Sequence, residues 1–226
     1  NWLGLVITIA SESVATIQYV GTASKKISPY VFYHQHLTAL GLACSLLLIF
    51  IYGLINYWGI KSLTKANNII TVFKIVIPLI TVLVLFYTSF HVSNFTLYQG
   101  KFIPYGTEKI FSAIVVSGIF YAFYGFSTIA TFSTELDNPQ RNIPIALVAS
   151  ILICLVIYLL LQTAFITALP PKLLAHGWHG LNFSSPIAQL LILLNINFWS
   201  VVLYMDALVS PSGTAIIYAG SSGRMI

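Results

Sequence analysis

Residues 144–168 read PIALVASILICLVIYLLLQTAFITA, a run of 25 residues without one charged side chain. Wound as an α-helix it would be roughly 38 Å long, more than the roughly 30 Å hydrocarbon core of a bilayer. Pro144 sits where the run opens, in a first turn that has no use for its missing N–H, and Asn138-Pro139 closes the segment before it. Comparable runs lie near 2–20, 37–58, 67–90, 110–133 and 187–219, making six in all. They are continuous and lack the ten-residue alternation of a lipid-facing barrel strand, so helices are expected.

Composition carries the same message. The 226 residues are 58% hydrophobic and only 7% charged, with a mean hydropathy of +0.91, whereas a soluble globule is about 25% charged. The expected fold is therefore all-α and polytopic, an integral multi-pass membrane protein whose partner is the lipid bilayer, with residues 1–226 forming a single transmembrane domain. The chain begins without Met inside an apolar segment and stops at Ile226 without a tail, which reads as an internal piece of a longer protein with no signal peptide to consider.

The net charge of +5 does not indicate nucleic acid. Apart from Lys74, inside an apolar run, the basic residues are scattered among connectors, and no stripe forms on which counterion release could act. Cys44 and Cys154 each stand alone in an apolar run and have no metal-ligand spacing. The positive-inside rule is nearly silent. One set of alternate connectors holds Lys25, Lys26, Lys101, Lys109 and Lys172; the other holds Lys61, Lys65, Arg141 and Arg224 in much shorter loops. Charge per residue makes the second set cytoplasmic.

Charged groups at membrane depth are expensive, so each needs a reason. Glu12 lies between Thr8 and Thr16, four residues from each, and the three share a helix face. That face either lines a polar cavity or lets Glu12 reach headgroups from near the helix end. Lys74 follows Asn67 and Thr71 on one face, about 10 Å into the third run. Pro78 has no N–H to give the Lys74 carbonyl, so a bend is expected there. An ammonium beside a freed carbonyl is either an ion or proton site, or a lysine snorkelling to the nearer interface. Asp206 shares a face with Ser210 just before Pro211. The sixth run, at roughly 50 Å as one helix, must tilt strongly, project or break. A Lys74–Asp206 pair would answer the desolvation problem of both groups.

The fourth run concentrates aromatic and small residues instead: Gly118-Ile119-Phe120-Tyr121-Ala122-Phe123-Tyr124-Gly125-Phe126-Ser127-Thr128. This composition suits an unwound segment that offers backbone groups to a ligand. It equally suits close helix packing on small residues with the aromatics facing lipid.

Asn56-Tyr57-Trp58-Gly59-Ile60-Lys61, followed by Asn67-Asn68-Ile69-Ile70 and Lys74, resembles the fourth-to-fifth helix region of the amino acid–polyamine–organocation permeases. Phe120 to Phe126, then Glu135 and Asn138-Pro139-Gln140-Arg141-Asn142-Ile143-Pro144, resembles that family's sixth helix and the loop after it. Asp206 to Thr214 with Tyr218 is similar to the eighth helix of proton-coupled members, bacterial aspartate–proton symporter-like proteins among them. The resemblance covers the whole chain as helices three to eight of twelve, so the substrate-binding break of helix one lies outside it.

It implies the inverted-repeat fold of the leucine transporter, alternating access, and an amino acid held where helices one and six unwind. Tyr121, Phe123, Tyr124, Gly125, Phe126, Ser127 and Thr128 would then bind substrate, with Phe123 or Phe126 as the gate. Lys74 would occupy the place where sodium-coupled relatives hold sodium. Glu12, Lys74 and Asp206 are the residues expected to couple protons, and the loop with Arg141 would be cytoplasmic, in a bacterial plasma membrane.

His34, His36, His91, His176 and His179 all fall in connectors, and are read mainly as solvated loop residues. Asn94-Phe95-Thr96 and Asn182-Phe183-Ser184 are glycosylation sequons that matter only in a eukaryotic secretory host. With no histidine in a span and no partner for either cysteine, neither a catalytic pair nor a metal set is expected, nor a cofactor. The function expected is secondary transport of an amino acid by proton symport. An exchanger of the same fold is the alternative, and an intramembrane enzyme the remote one.

Overall fold

The computed structural model describes residues 2–24, 26–33, 36–58, 60–174, 177–183 and 185–225. Lys25, His34, Gly59, His176 and Ser184 lie outside the described residues, as do the side chains of Trp58, Ile60, Lys61, Lys65, Ser127, Glu135 and His179. In chain order the helices are α1 (Trp2–Ala23), α2 (Ser28–Val31), α3 (Ala39–Trp58), α4 (Ile60–Thr88), α5 (Thr107–Val116), α6 (Ile119–Ala122), α7 (Pro139–Ala168), α8 (Pro186–Leu193) and α9 (Asn197–Gly223). A short antiparallel pair, β1 (Phe32–Tyr33) and β2 (His36–Leu37), turns the connector between α2 and α3. Short 3₁₀ turns lie at Val92–Phe95, Pro171–Leu174 and Trp178–Gly180, and a longer one at Tyr124–Glu135. The fold is all-α and polytopic.

Among the described residues, five helices are long and apolar enough to cross a membrane: Trp2–Ala23, Ala39–Tyr57, Asn67–Thr88, Pro139–Ala168 and Asn197–Gly223. A sixth is made if Thr107–Val116 and Ile119–Thr131, bent by 52°, count as one broken span. Large apolar side chains along α7, among them Ile145, Val148, Leu152, Val156 and Leu159, stay exposed. Lipid, not water, is the solvent that tolerates such a surface.

The chain divides into two compact units, Asn1–Ile77 with Asn197–Ile226, and Pro78–Ile196. The division falls inside α4 at Pro78, where the ladder bond to the Lys74 carbonyl cannot form. In the first unit α1 lies most extensively along α9, and α3 packs on both. Leu5, Ile9, Tyr52, Ala215 and Tyr218 form its core.

Asn56 fastens α3 to α9: its Nδ2 donates to the Tyr52 carbonyl and to the Ile216 carbonyl, each at 2.9 Å. One turn earlier, the Tyr52 hydroxyl bonds the Ser212 hydroxyl at 2.9 Å. This works because residue 220 is glycine; a Cβ there would stand 2.7 Å from Asn56 Oδ1. Gly220→Ala should push the amide off both carbonyls and destabilise the fold by about 1–3 kcal/mol. A lower thermal midpoint of the purified full-length protein is expected, and an unchanged one would exclude the clamp.

In the second unit α7 packs on the Tyr124–Glu135 segment and on the Val92–Phe95 turn. The fourth apolar run is interrupted at Gly118, whose φ of +78° is left-handed. The sixth run breaks too, at Leu194–Ile196. Asn195 takes a left-handed φ of +62°, and the Ile196 N–H reaches back to the Leu191 carbonyl at 2.8 Å, the closing bond of a Schellman motif. Of the routes open to a run too long for one span, the chain breaks, and Asn195 supplies the turn.

Candidate functional site

The polar groups of the first unit converge from α1, α4 and α9. Thr8 and Thr16 are buried, and their hydroxyls donate to the carbonyls of Gly4 and Glu12, at 2.8 and 2.9 Å. Bonds of this kind satisfy each hydroxyl within its own helix and leave the Glu12 carboxylate as the polar group of that face. Lys74, half-buried on α4, donates from Nζ to Thr214 Oγ1 on α9 at 2.6 Å. Thr214 Oγ1 in turn donates to the Ser210 carbonyl at 3.3 Å, and Ser210 Oγ donates to Asp206 Oδ1 at 2.9 Å. Residues 206, 210 and 214 therefore form a polar line at one-turn spacing down α9.

The direct partner of Lys74 is thus a hydroxyl. Asp206 lies two turns from that contact along α9, and its carboxylate is held by Ser210. Glu12 and Asp206 both act on the ammonium through space, Glu12 more strongly. The break at Leu194–Ile196 also resets depth: Asp206 lies nine residues into α9, well inside that helix.

Thr214 is the residue that sequence reading left without a role; it belonged to a quoted motif, but only the α4–α9 packing matches it to Lys74. Thr214→Val keeps the shape and removes the acceptor of a half-buried charge, a loss of about 1.5–3 kcal/mol. A lower thermal midpoint and roughly tenfold slower uptake by the full-length protein are expected. Wild-type values for both would remove Thr214 from the site.

The second group lies in the second unit. Beyond Gly118, α6 gives a single turn, and from Tyr124 the backbone winds as 3₁₀ helix to Glu135. Hydroxyls take up carbonyls along this tighter ladder: Thr128 Oγ1 donates to the Gly125 carbonyl at 2.6 Å, and Thr131 Oγ1 to the Thr128 carbonyl at 2.7 Å. The Tyr121 and Tyr124 rings stack with centroids 6.5 Å apart. Phe123 meets Tyr158 of α7 edge-on at 5.4 Å, while Phe126 is exposed. Glycine at 118 rather than at 125 makes the break, since 118 is the position with positive φ. Tyr158 was not singled out from sequence; its place against Phe123 depends on packing between positions 35 residues apart.

The arrangement defines a polytopic α-helical membrane protein with a lysine, a hydroxyl line and carboxylates among the helices of one unit, and an apolar helix pair bent at a glycine in the other. The family model described as amino acid permease matches residues 1–226, and the chain belongs to that family. It is 44% identical to the glutamate/serine transporter AimA of Bacillus subtilis, over 99% of this chain and 42% of the relative. It is 35% identical to the aspartate-proton symporter of the same organism, over 79% of this chain and 34% of the relative. The vacuolar cationic amino acid transporter 2 of Arabidopsis thaliana is 28% identical over 56% of this chain and 20% of the relative. The chain thus spans less than half the length of these relatives.

Proposed function

We propose that this chain is the central part of a proton-coupled amino acid symporter of the bacterial plasma membrane, contributing helices three to eight of a twelve-helix, inverted-repeat carrier. The observation that carries this reading is the Lys74–Thr214 bond between α4 and α9, with Glu12 and Asp206 in electrostatic range. A protonated Lys74 makes that bond; a neutral one holds it far less tightly, so proton uptake and release at Lys74 change how firmly α4 and α9 are joined. A proton that favours one packing of these helices over the other is what links its gradient to substrate movement. Glu12 and Asp206 balance the ammonium and share the proton-coupling role.

The amino acid is held by the segment from Tyr121 to Thr128, where the break at Gly118 and the 3₁₀ winding bring backbone groups and aromatic faces to one place. Phe126, exposed, acts as the gate over it. The names of the two Bacillus relatives make glutamate, aspartate and serine the first substrates to test. The relatives named are transporters, which supports a carrier over an enzyme.

The test uses full-length protein in liposomes. Under an inward proton gradient, glutamate, aspartate or serine should accumulate, and adding the amino acid without a gradient should move protons inward. Uptake that follows a sodium gradient, or that needs amino acid on the far side and ignores pH, would replace symport with sodium coupling or exchange.

A further inference from the structure

The end of α7 poses a problem that the sequence creates. Helix carbonyls in the last turn lack partners, and a following chain commonly supplies N–H groups. Here residues 170 and 171 are both proline. Pro170 has no N–H for the Ile166 carbonyl, and Pro171 has none for that of Thr167.

Both carbonyls are satisfied by the connector between α4 and α5. Asn94 Nδ2 donates to the Ile166 carbonyl at 2.8 Å and to the Leu169 carbonyl at 2.8 Å. The His91 backbone N–H donates to the Thr167 carbonyl at 2.8 Å. The grip is centred on a buried side chain: Asn94 is 1% exposed, its bond to the Leu169 carbonyl is buried and that to the Ile166 carbonyl is part-buried. Asn94 heads one of the two sequons, and its amide is committed inside the protein instead.

The connector that follows α7 is gripped as well. The Tyr98 ring lies against Gly177, where a Cβ would come within 2.8 Å of Tyr98 Cε2 and where φ is +80°. Tyr98 in turn packs on Tyr105, with centroids 5.9 Å apart.

A lid that opens on every cycle is held by exposed, readily exchanged contacts. Lifting this connector would instead take the partners from three carbonyls at the end of α7 and from the buried Asn94 amide. We propose that the α4–α5 connector is a permanent strap: Asn94 and His91 complete the proline-interrupted end of α7, and the ends of α4 and α7 stay fastened together throughout the cycle. The cycle itself rests on the transporter reading; the strap does not.

Two measurements on full-length protein test it. In hydrogen exchange, Asn94→Ala should speed exchange about tenfold at residues 89–95 and 164–174, with little change in α1 or α9. Unchanged exchange would overturn the strap, whether or not the protein transports. Second, His91→Cys with Thr167→Cys in a background without other cysteines allows the strap to be bridged by a short, reducible thiol reagent. Uptake that survives the closed bridge is expected. Uptake lost on bridging and restored by reduction would mean that the connector must lift, and would overturn the proposal.

Discussion

Lys74→Ala in the full-length protein is expected to reduce proton-driven amino acid uptake at least about a hundredfold. The ammonium is the donor to Thr214 across α4 and α9 and the counter-charge felt by both Glu12 and Asp206. Removing it takes away the donor to Thr214, leaves both carboxylates without their counter-charge and abolishes the proton exchange on which coupling rests; two powers of ten in rate correspond to about 2.7 kcal/mol. The measurement is amino-acid-driven proton entry into liposomes, with the thermal midpoint recorded alongside. Lys74→Arg separates charge from proton exchange, because a guanidinium holds its proton throughout. The arginine variant should keep the fold and lose coupling. Coupled uptake at the wild-type rate in either variant would remove Lys74 as the proton carrier.

Gly118→Ala is the second large effect, and it acts in the other unit. Alanine favours a continuous α-helix over glycine by about 1 kcal/mol, and in a left-handed conformation it is strained by about 1–2 kcal/mol. Both terms push Thr107–Thr131 toward one straight helix, together about 2–3 kcal/mol, or a shift of roughly thirtyfold to more than a hundredfold between bent and straight. If the break binds the amino acid, affinity should fall by at least tenfold. Spin labels on either side of residue 118 should report a longer separation. A variant that stays bent by 52° and binds as before would show that glycine is not what holds the break.

Much of the molecule was written in local patterns. Apolar runs of spanning length need no tertiary information, because a bilayer imposes helix on any segment that crosses it. The turn at Asn195 was legible in principle, since an Asn between apolar stretches is a left-handed candidate, but its register was not. The fourth run showed its glycines and aromatics, and left break and close packing equally open; Gly118 decided it by adopting a φ that other residues resist. Asn94 was read as a sequon because the motif is local, whereas the two prolines that call for its amide lie about 75 residues away.

By itself the sequence determined that the chain is all-α and lives in lipid, that Glu12, Lys74 and Asp206 are costly charges needing partners, and that its motifs resemble the amino acid permeases. Tertiary structure alone decided who those partners are. Thr214 meets Lys74, Asn56 meets Ile216 and Asn94 meets the end of α7, each across 70 or more residues of chain. The physical reason is one of range: hydrophobic length and helix periodicity act within a segment, while a hydrogen bond between segments depends on which helices pack together and at what register.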